Sequence, residues 1–346
     1  MRRLLTRPET LVPAVSLVVV VAIFICAPPV TGADLTRFDV YNALQGFAPL
    51  GLLTLGLGIT MIAGEFDLSV VGTYALGGMV AVETGQSSAL LGVAAAVAVG
   101  AAIGAIQGGL IAKLKIPSLP VTLATYIALL GLTSALSGGL SKTYTNPGAT
   151  FWVDKTVVTV FSPRSLITLA AFVAAALVLG LTKIGRELRA IGGDRRASRV
   201  AGVRVDRNLV GLFTVSGTLA ALAGALLSYS YASANPDPGL QPLVLAVVAA
   251  LLGGVSLTGG RGLPFGLLAG ALSVALLAQV AAITSLPDYA TQLLYAGLLV
   301  VVLGIDAPGL RQAIDRLLAR SRARTSLLAD ASNQAGSVSD GTTGLS

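Results

Sequence analysis

Residues 89–112 read ALLGVAAAVAVGAAIGAIQGGLIA, a block without a charge and with one polar side chain, Gln107. A helix needs about 20 apolar residues to cross the hydrocarbon core of a bilayer. Within that core the backbone must satisfy its own hydrogen bonds, so an apolar block of this length spans as a helix. Working outward, nine further blocks of similar character lie near 10–30, 47–63, 70–84, 119–138, 165–182, 208–231, 243–258, 263–284 and 289–305. Three of them, 47–63, 70–84 and 243–258, are short and rich in glycine. The expected fold class is therefore all-α, a polytopic membrane helix bundle of about ten transmembrane helices.

Charge supports this count. Only 11% of residues are charged, against roughly 25% in a soluble domain. With ten spans and the N-terminus in the cytoplasm, Arg37, Lys142, Lys155 and Arg164 fall outside, and the other nineteen of the 23 Lys and Arg fall inside. That is the positive-inside asymmetry, and it places both termini in the cytoplasm. It also explains the net charge of +7 without nucleic acid as a partner, because no aromatic residues interleave with the basic ones. The organisation expected is a membrane domain over 1–305, an amphipathic helix on the inner surface over 306–320, and a disordered tail over 321–346. Thr31, Gly32 and Ala33 loosely imitate a signal-peptidase site, but Leu11 to Val30 is long enough to remain as a span.

Several chemistries are excluded. The chain has no histidine, so histidine triads and histidine metal sites do not arise. Its one cysteine, Cys26, is expected as a buried, apolar-like thiol. Gly138 to Thr143 superficially follows a phosphate loop, but Ser141 stands where a glycine is required before the lysine.

Four polar constellations interrupt the blocks. Gly64-Glu65-Phe66-Asp67-Leu68-Ser69-Val70 separates spans two and three. Asp67 or Ser69 is expected to cap the following helix, and a broken helix there would also line a cavity. Gly253 to Gly262, with Ser256 and Thr258, follows a short apolar run in the same way. Short, interrupted spans at matching places in two halves point to a pathway, with packing glycines as the plainer reading. On the charge-derived topology the two breaks share a direction, so the repeat is parallel. Lys183 to Arg207 is a basic cytoplasmic segment with a short helix expected near 194–201, ended by Gly202. It is either a solvated orientation signal or a docking surface. Pro117 to Thr125 opens span five, where Thr122 and Thr125 pack within the bundle or face a pore.

These four constellations, in this order, resemble the permease subunits of bacterial ABC importers of the ribose, xylose and galactose class. Gly64 to Val70 is similar to the family's Gly-Gly-Ile-Asp-Leu-Ser-Val-Gly, with Glu65 in place of a glycine. Gly192 to Val203 is similar to Gly-Gly-Asn-Pro-x-Ala-Ala-Arg-x-Ser-Gly-Ile, with Asp194 and Arg195 in place of Asn-Pro. Pro117 to Thr125 follows Pro-x-Phe-Ile-x-Thr-Leu-Gly-Thr, with Pro120 and Ala124 as departures.

The resemblance implies a subunit that catalyses no reaction and translocates a monosaccharide or similar polyol by alternating access. Its implied partners are cytoplasmic ABC ATPase subunits that carry ATP and Mg, an extracytoplasmic substrate-binding protein, and a second permease chain, identical or not. Asp194, Arg195, Ala197, Arg199 and Gly202 would form the ATPase-coupling loop. Gly64, Asp67, Ser69, Gly253, Ser256 and Thr258 would line or hinge the pathway. Two alternatives stay open: a branched-chain amino acid or nucleoside permease of the same kind, and an ion-coupled carrier using Asp67 and Glu83 as a carboxylate relay.

Overall fold

The computed structural model describes residues 8–30, 32, 34–146, 148 and 150–306. Twelve α-helices follow one another among them. They are α1 (Pro8–Val30), α2 (Arg37–Ile62), α3 (Val70–Thr84), α4 (Ala89–Leu114), α5 (Ser118–Ser137) and α6 (Pro163–Leu181). Then come α7 (Lys183–Gly193), α8 (Arg195–Val200), α9 (Val205–Ser230), α10 (Gln241–Leu252), α11 (Pro264–Ile283) and α12 (Asp288–Asp306). The described residues up to Ala296 form one compact unit, and the described residues Gly297 to Asp306 belong to a second.

Among the described residues seven helices are long and apolar enough to cross a membrane: α1, α2, α4, α5, α6, α9 and α11. The other three expected spans coincide with α3, α10 and α12. α3 has 15 residues and α10 has 12, so they are about 22 and 18 Å long, less than a hydrocarbon core of about 30 Å. The expected span at 243–258 is corrected: its helix stops at Leu252 and the rest is irregular. The second span begins ten residues earlier than expected, because Thr36 and Asp39 form a capping box that starts α2 at Arg37. Cys26 is also corrected: it lies on the exposed face of α1, where lipid would cover it. The surface helix and tail expected beyond Asp306 lie outside the described residues.

α2 is buried along most of its length and is packed by α6, α9, α10 and α11. α9 is the second central element and runs beside α4 and α3. Lipid tails are as apolar as leucine, so such helices associate through close packing at small residues. The α4–α9 seam shows it: a Cβ on Gly104 would lie 2.1 Å from the Phe213 carbonyl oxygen, and one on Gly217 would lie 2.3 Å from that of Gly100. The α3–α9 seam is as tight, with a Cβ on Gly224 falling 1.9 Å from the Tyr74 oxygen.

The connections sort to two ends. At one end a two-residue strand β1 (Lys142–Thr143) pairs antiparallel with β2 (Ser233–Ala234), tying the α5–α6 connection to the α9–α10 connection. There Lys142 Nζ meets Glu83 Oε1 at 3.1 Å and the Tyr144 hydroxyl donates to the Gly85 oxygen at 2.6 Å. Buried Arg164 reaches Asp154 at 3.0 Å and donates to Gln45 Oε1. The other end holds the Gly64 break, α7, α8 and the Gly253–Gly262 segment.

Candidate functional site

The second end is built from two matching helix stops. At the end of α2 the Glu65 N–H donates to the Thr60 oxygen at 3.0 Å, and the Gly64 N–H to that of Met61 at 2.9 Å. At the end of α10 the Val255 N–H donates to the Ala250 oxygen at 3.1 Å, and the Gly254 N–H to that of Leu251 at 2.9 Å. Both are Schellman caps, with a left-handed residue closing the last turn. That residue is Gly64 in one and Gly254 in the other, each at φ +75°, a region that disfavours any side chain. Both helices thus run toward the same end and stop in the same way.

The two stops meet each other and the end of α7. The Gly260 N–H donates to the Ile62 oxygen at 2.9 Å. A Cβ on Gly192 would lie 2.1 Å from that oxygen and 2.4 Å from the Gly260 nitrogen. A Cβ on Gly259 would lie 2.6 Å from Gly64 Cα. Three chain segments therefore stack backbone on backbone, with no room for a methyl group at their contacts. The start of α5 completes the junction: Ser118 Oγ accepts the Phe66 N–H at 3.2 Å, and Thr122 Oγ1 lies 3.2 Å from the Phe66 oxygen, to which it donates.

Asp67 lies just above the junction and is buried. Its Oδ1 accepts the Ser69 N–H at 3.0 Å, the Ser69 hydroxyl at 2.6 Å and Gln107 Nε2 at 3.2 Å; its Oδ2 accepts the Ser216 hydroxyl at 2.8 Å. A buried carboxylate is tolerated when its lone pairs are so occupied. Asp67 thereby ties the break to α4 and α9. The capping expectation is corrected: Ser69 occupies the N-cap of α3 but its hydroxyl donates to Asp67 and caps no helix N–H, and Asp67 makes a turn with Ser69 ahead of the helix.

Below the junction α7 and α8 form the predicted polar segment, and α7, not expected as a helix, is amphipathic, with Leu188 and Ile191 buried. Asp194 caps α8, accepting the Arg196 N–H at 2.7 Å and the Ala197 N–H at 3.0 Å. Those two donors hold its carboxyl below the usual carboxylate range. Gly202, at φ +83°, ends α8 as expected, with the Val203 N–H donating to the Ser198 oxygen. Arg199 clasps Asp206 at the start of α9 at 2.7 Å. Arg195 turns inward and its guanidinium meets the buried carboxylate of Glu65. Ala197 is exposed and Val200 is 90% exposed.

All four constellations thus converge on one place. Gly64, Gly253, Thr258, Asp194 and Arg195 belong to or adjoin the junction, and Ser256 and Thr258 bond each other at 3.0 Å. Gly253 packs on α11, where its Cβ would lie 2.6 Å from the Gly266 oxygen. Glu83 is not brought to Asp67: it sits at the far end of α3 with Lys142. Missed in the sequence were Gln107, Ser216 and Gly192 as partners, and Val200 as the exposed apolar tip. Gln107 and Ser216 carried a signal, being polar side chains inside apolar helices.

Residues 40–303 match the family described as branched-chain amino acid transport system / permease component. The chain is 30% identical to the ribose import permease protein RbsC of Escherichia coli strain K12 over 78% of this chain and 85% of that one. It is 27% identical to the xylose transport system permease protein XylH of Haemophilus influenzae, over 84% and 94% of the two chains. It is 28% identical to the L-arabinose ABC transporter permease protein AraH of Azospirillum brasilense, over 79% and 80%. No solved structure matches.

Proposed function

We propose a transport role from the premise that this chain belongs to the branched-chain amino acid transport system / permease component family. It is the membrane subunit of a binding-protein-dependent ABC importer, and its substrate is a monosaccharide of the pentose kind that the relatives' names specify. The end bearing α7 and α8 faces the cytoplasm, because it holds Lys183, Arg186, Arg189, Arg195, Arg196, Arg199, Arg204 and Arg207.

The observation that carries the mechanism is the convergence of both helix stops on the base of α8. α8 presents Ala197 and Val200 to a cytoplasmic ATPase, which holds the ATP and Mg. When the ATPases close, α8 is pushed, and Gly192 and Arg195 pass the displacement to the Gly64 and Gly259 backbones. The ends of α2 and α10 then move together against Asp67, which keeps α3, α4 and α9 in step. A second permease chain completes the pathway, and a soluble binding protein delivers substrate at the Lys142 end. A neutral sugar requires hydroxyl and amide partners and no fixed charge in the pathway.

Reconstitution tests this. The chain is placed in vesicles with its ATPase and binding protein, and uptake of labelled ribose, xylose and arabinose is followed. ATP-dependent uptake of a pentose is expected. Uptake of leucine in its place would transfer the assignment to amino acids, and uptake without ATPase that follows an ion gradient would overturn it.

A further inference from the structure

A cavity of about 860 Å³ lies between α2, α6, α7 and α9. It is no part of the junction, though it opens beside it. Its walls are apolar and include Leu55, Ile59, Val178, Leu212 and Leu219. Polar side chains stand only at its mouth, as Lys183, Glu187, Arg204, Arg207 and Asn208. Glu187 accepts a bond from Asn208 at 2.8 Å. Lys183, Arg204 and Arg207 are exposed, and none of their side chains has a hydrogen-bond or ion-pair partner among the described residues. The mouth thus offers three uncommitted cations against one carboxylate.

The geometry points to a structural site for one anionic phospholipid of the inner leaflet, its acyl chain in the cavity and its head group on Lys183, Arg204 and Arg207. The argument is complementarity in both halves of the ligand. The interior has no side chain with which to bond a sugar or a peptide, so only hydrocarbon is at home there. Basic pockets between membrane helices on the cytoplasmic side suit anionic lipid head groups. The leaflet on that side is itself anionic, so the ligand is always at hand. Location adds a consequence. α7 and Gly202 line the cavity, so a seated lipid supports the segment that carries α8. The leaflet follows from the orientation proposed above; the lipid chemistry does not, and the test below needs no transport.

The intact transporter is purified in mild detergent and studied by native mass spectrometry and by thermal unfolding. It is titrated with phosphatidylglycerol, with phosphatidylcholine of the same chains, and with inorganic phosphate. One phosphatidylglycerol is expected to stay bound per copy of this chain and to raise the melting temperature. Phosphatidylcholine should bind at least about tenfold more weakly, in line with loss of the head-group contacts. Phosphate alone should do nothing. Replacing Lys183, Arg204 and Arg207 together by Gln should remove the preference. Ala175→Phe, which fills the apolar part and leaves every charge, should also release the lipid. Lys142→Gln at the opposite end should change neither result. Equal retention of the two lipids overturns the proposal, as does equal stabilisation by phosphate or retention unaffected by both cavity variants. If the triple variant does not fold, the lipid comparison on the unaltered chain decides.

Discussion

Glu65 and Arg195 meet side chain to side chain across the floor of the helix bundle, one in the break after α2 and the other on the first turn of α8. Each stands where the permease pattern has a different residue, a glycine and a proline. The two departures are thus a single change, in which an ion pair joins segments that also meet through backbone contacts at Ile62 and Gly192. Glu65 is buried while Arg195 is 35% exposed at its side chain, so the pair is partly screened. Breaking it with Glu65→Gln or Arg195→Gln should cost about 1–2 kcal/mol, less than the roughly 3–5 of a fully buried pair. Thermal unfolding of the two single variants and the charge-swapped double variant checks this. The double variant should recover part of the loss, and equal, additive losses would show that the pair is not coupled.

Asp67 ties the break after α2 to α4 and α9 through Gln107 and Ser216. Asp67→Ala leaves the Ser216 hydroxyl and the Gln107 amide buried without an acceptor, and should lower stability by about 3 kcal/mol or more. Asp67→Asn keeps the size and one acceptor and should cost less. A chain in which Asp67→Asn unfolded normally but lost all ion dependence of uptake would restore the carrier reading.

Gly192 and Gly193 offer an internal comparison. A methyl on Gly192 would collide with the Ile62 oxygen and the Gly260 nitrogen, whereas one on Gly193 meets nothing within 4 Å. Gly192→Ala should therefore abolish uptake or assembly. Gly193→Ala should be tolerated with uptake near the starting level. Membrane expression and transport, measured side by side, distinguish the two.

Val200 supplies an apolar tip with no function inside the chain, since it is 90% exposed. Val200→Asp should leave the melting temperature within a degree or two and reduce copurification of the ATPase several-fold. Gly202→Trp should fold, because nothing lies near its Cβ, at about 1–2 kcal/mol of backbone strain. It should still uncouple hydrolysis from uptake, read as ATPase activity that persists while substrate stays outside.

The α4–α9 seam sets a limit on bulk. Gly217→Leu places a side chain against the Gly100 backbone and should prevent the folded state from forming, seen as loss of protein from the membrane fraction. Gly211→Leu, on the same helix with open space at its Cβ, should express normally.

Much of this molecule was legible in its residues. Blocks such as 89–112 can exist only as membrane helices, since lipid offers the backbone no other partner. The stop at Gly202 and the cap at Asp194 were readable because both act within a few residues of chain. Tertiary structure alone decided what these local features touch. That Gly64, Gly192 and Gly259 share one contact, that Ser216 and Gln107 satisfy Asp67, and that Glu65 answers Arg195 are relations between distant segments. A glycine signals that a backbone can come close, but not which one; a buried carboxylate signals that donors are needed, but not from where. Those identities follow from how the helices pack, and packing depends on the fit of the whole set of helices and not on any one stretch.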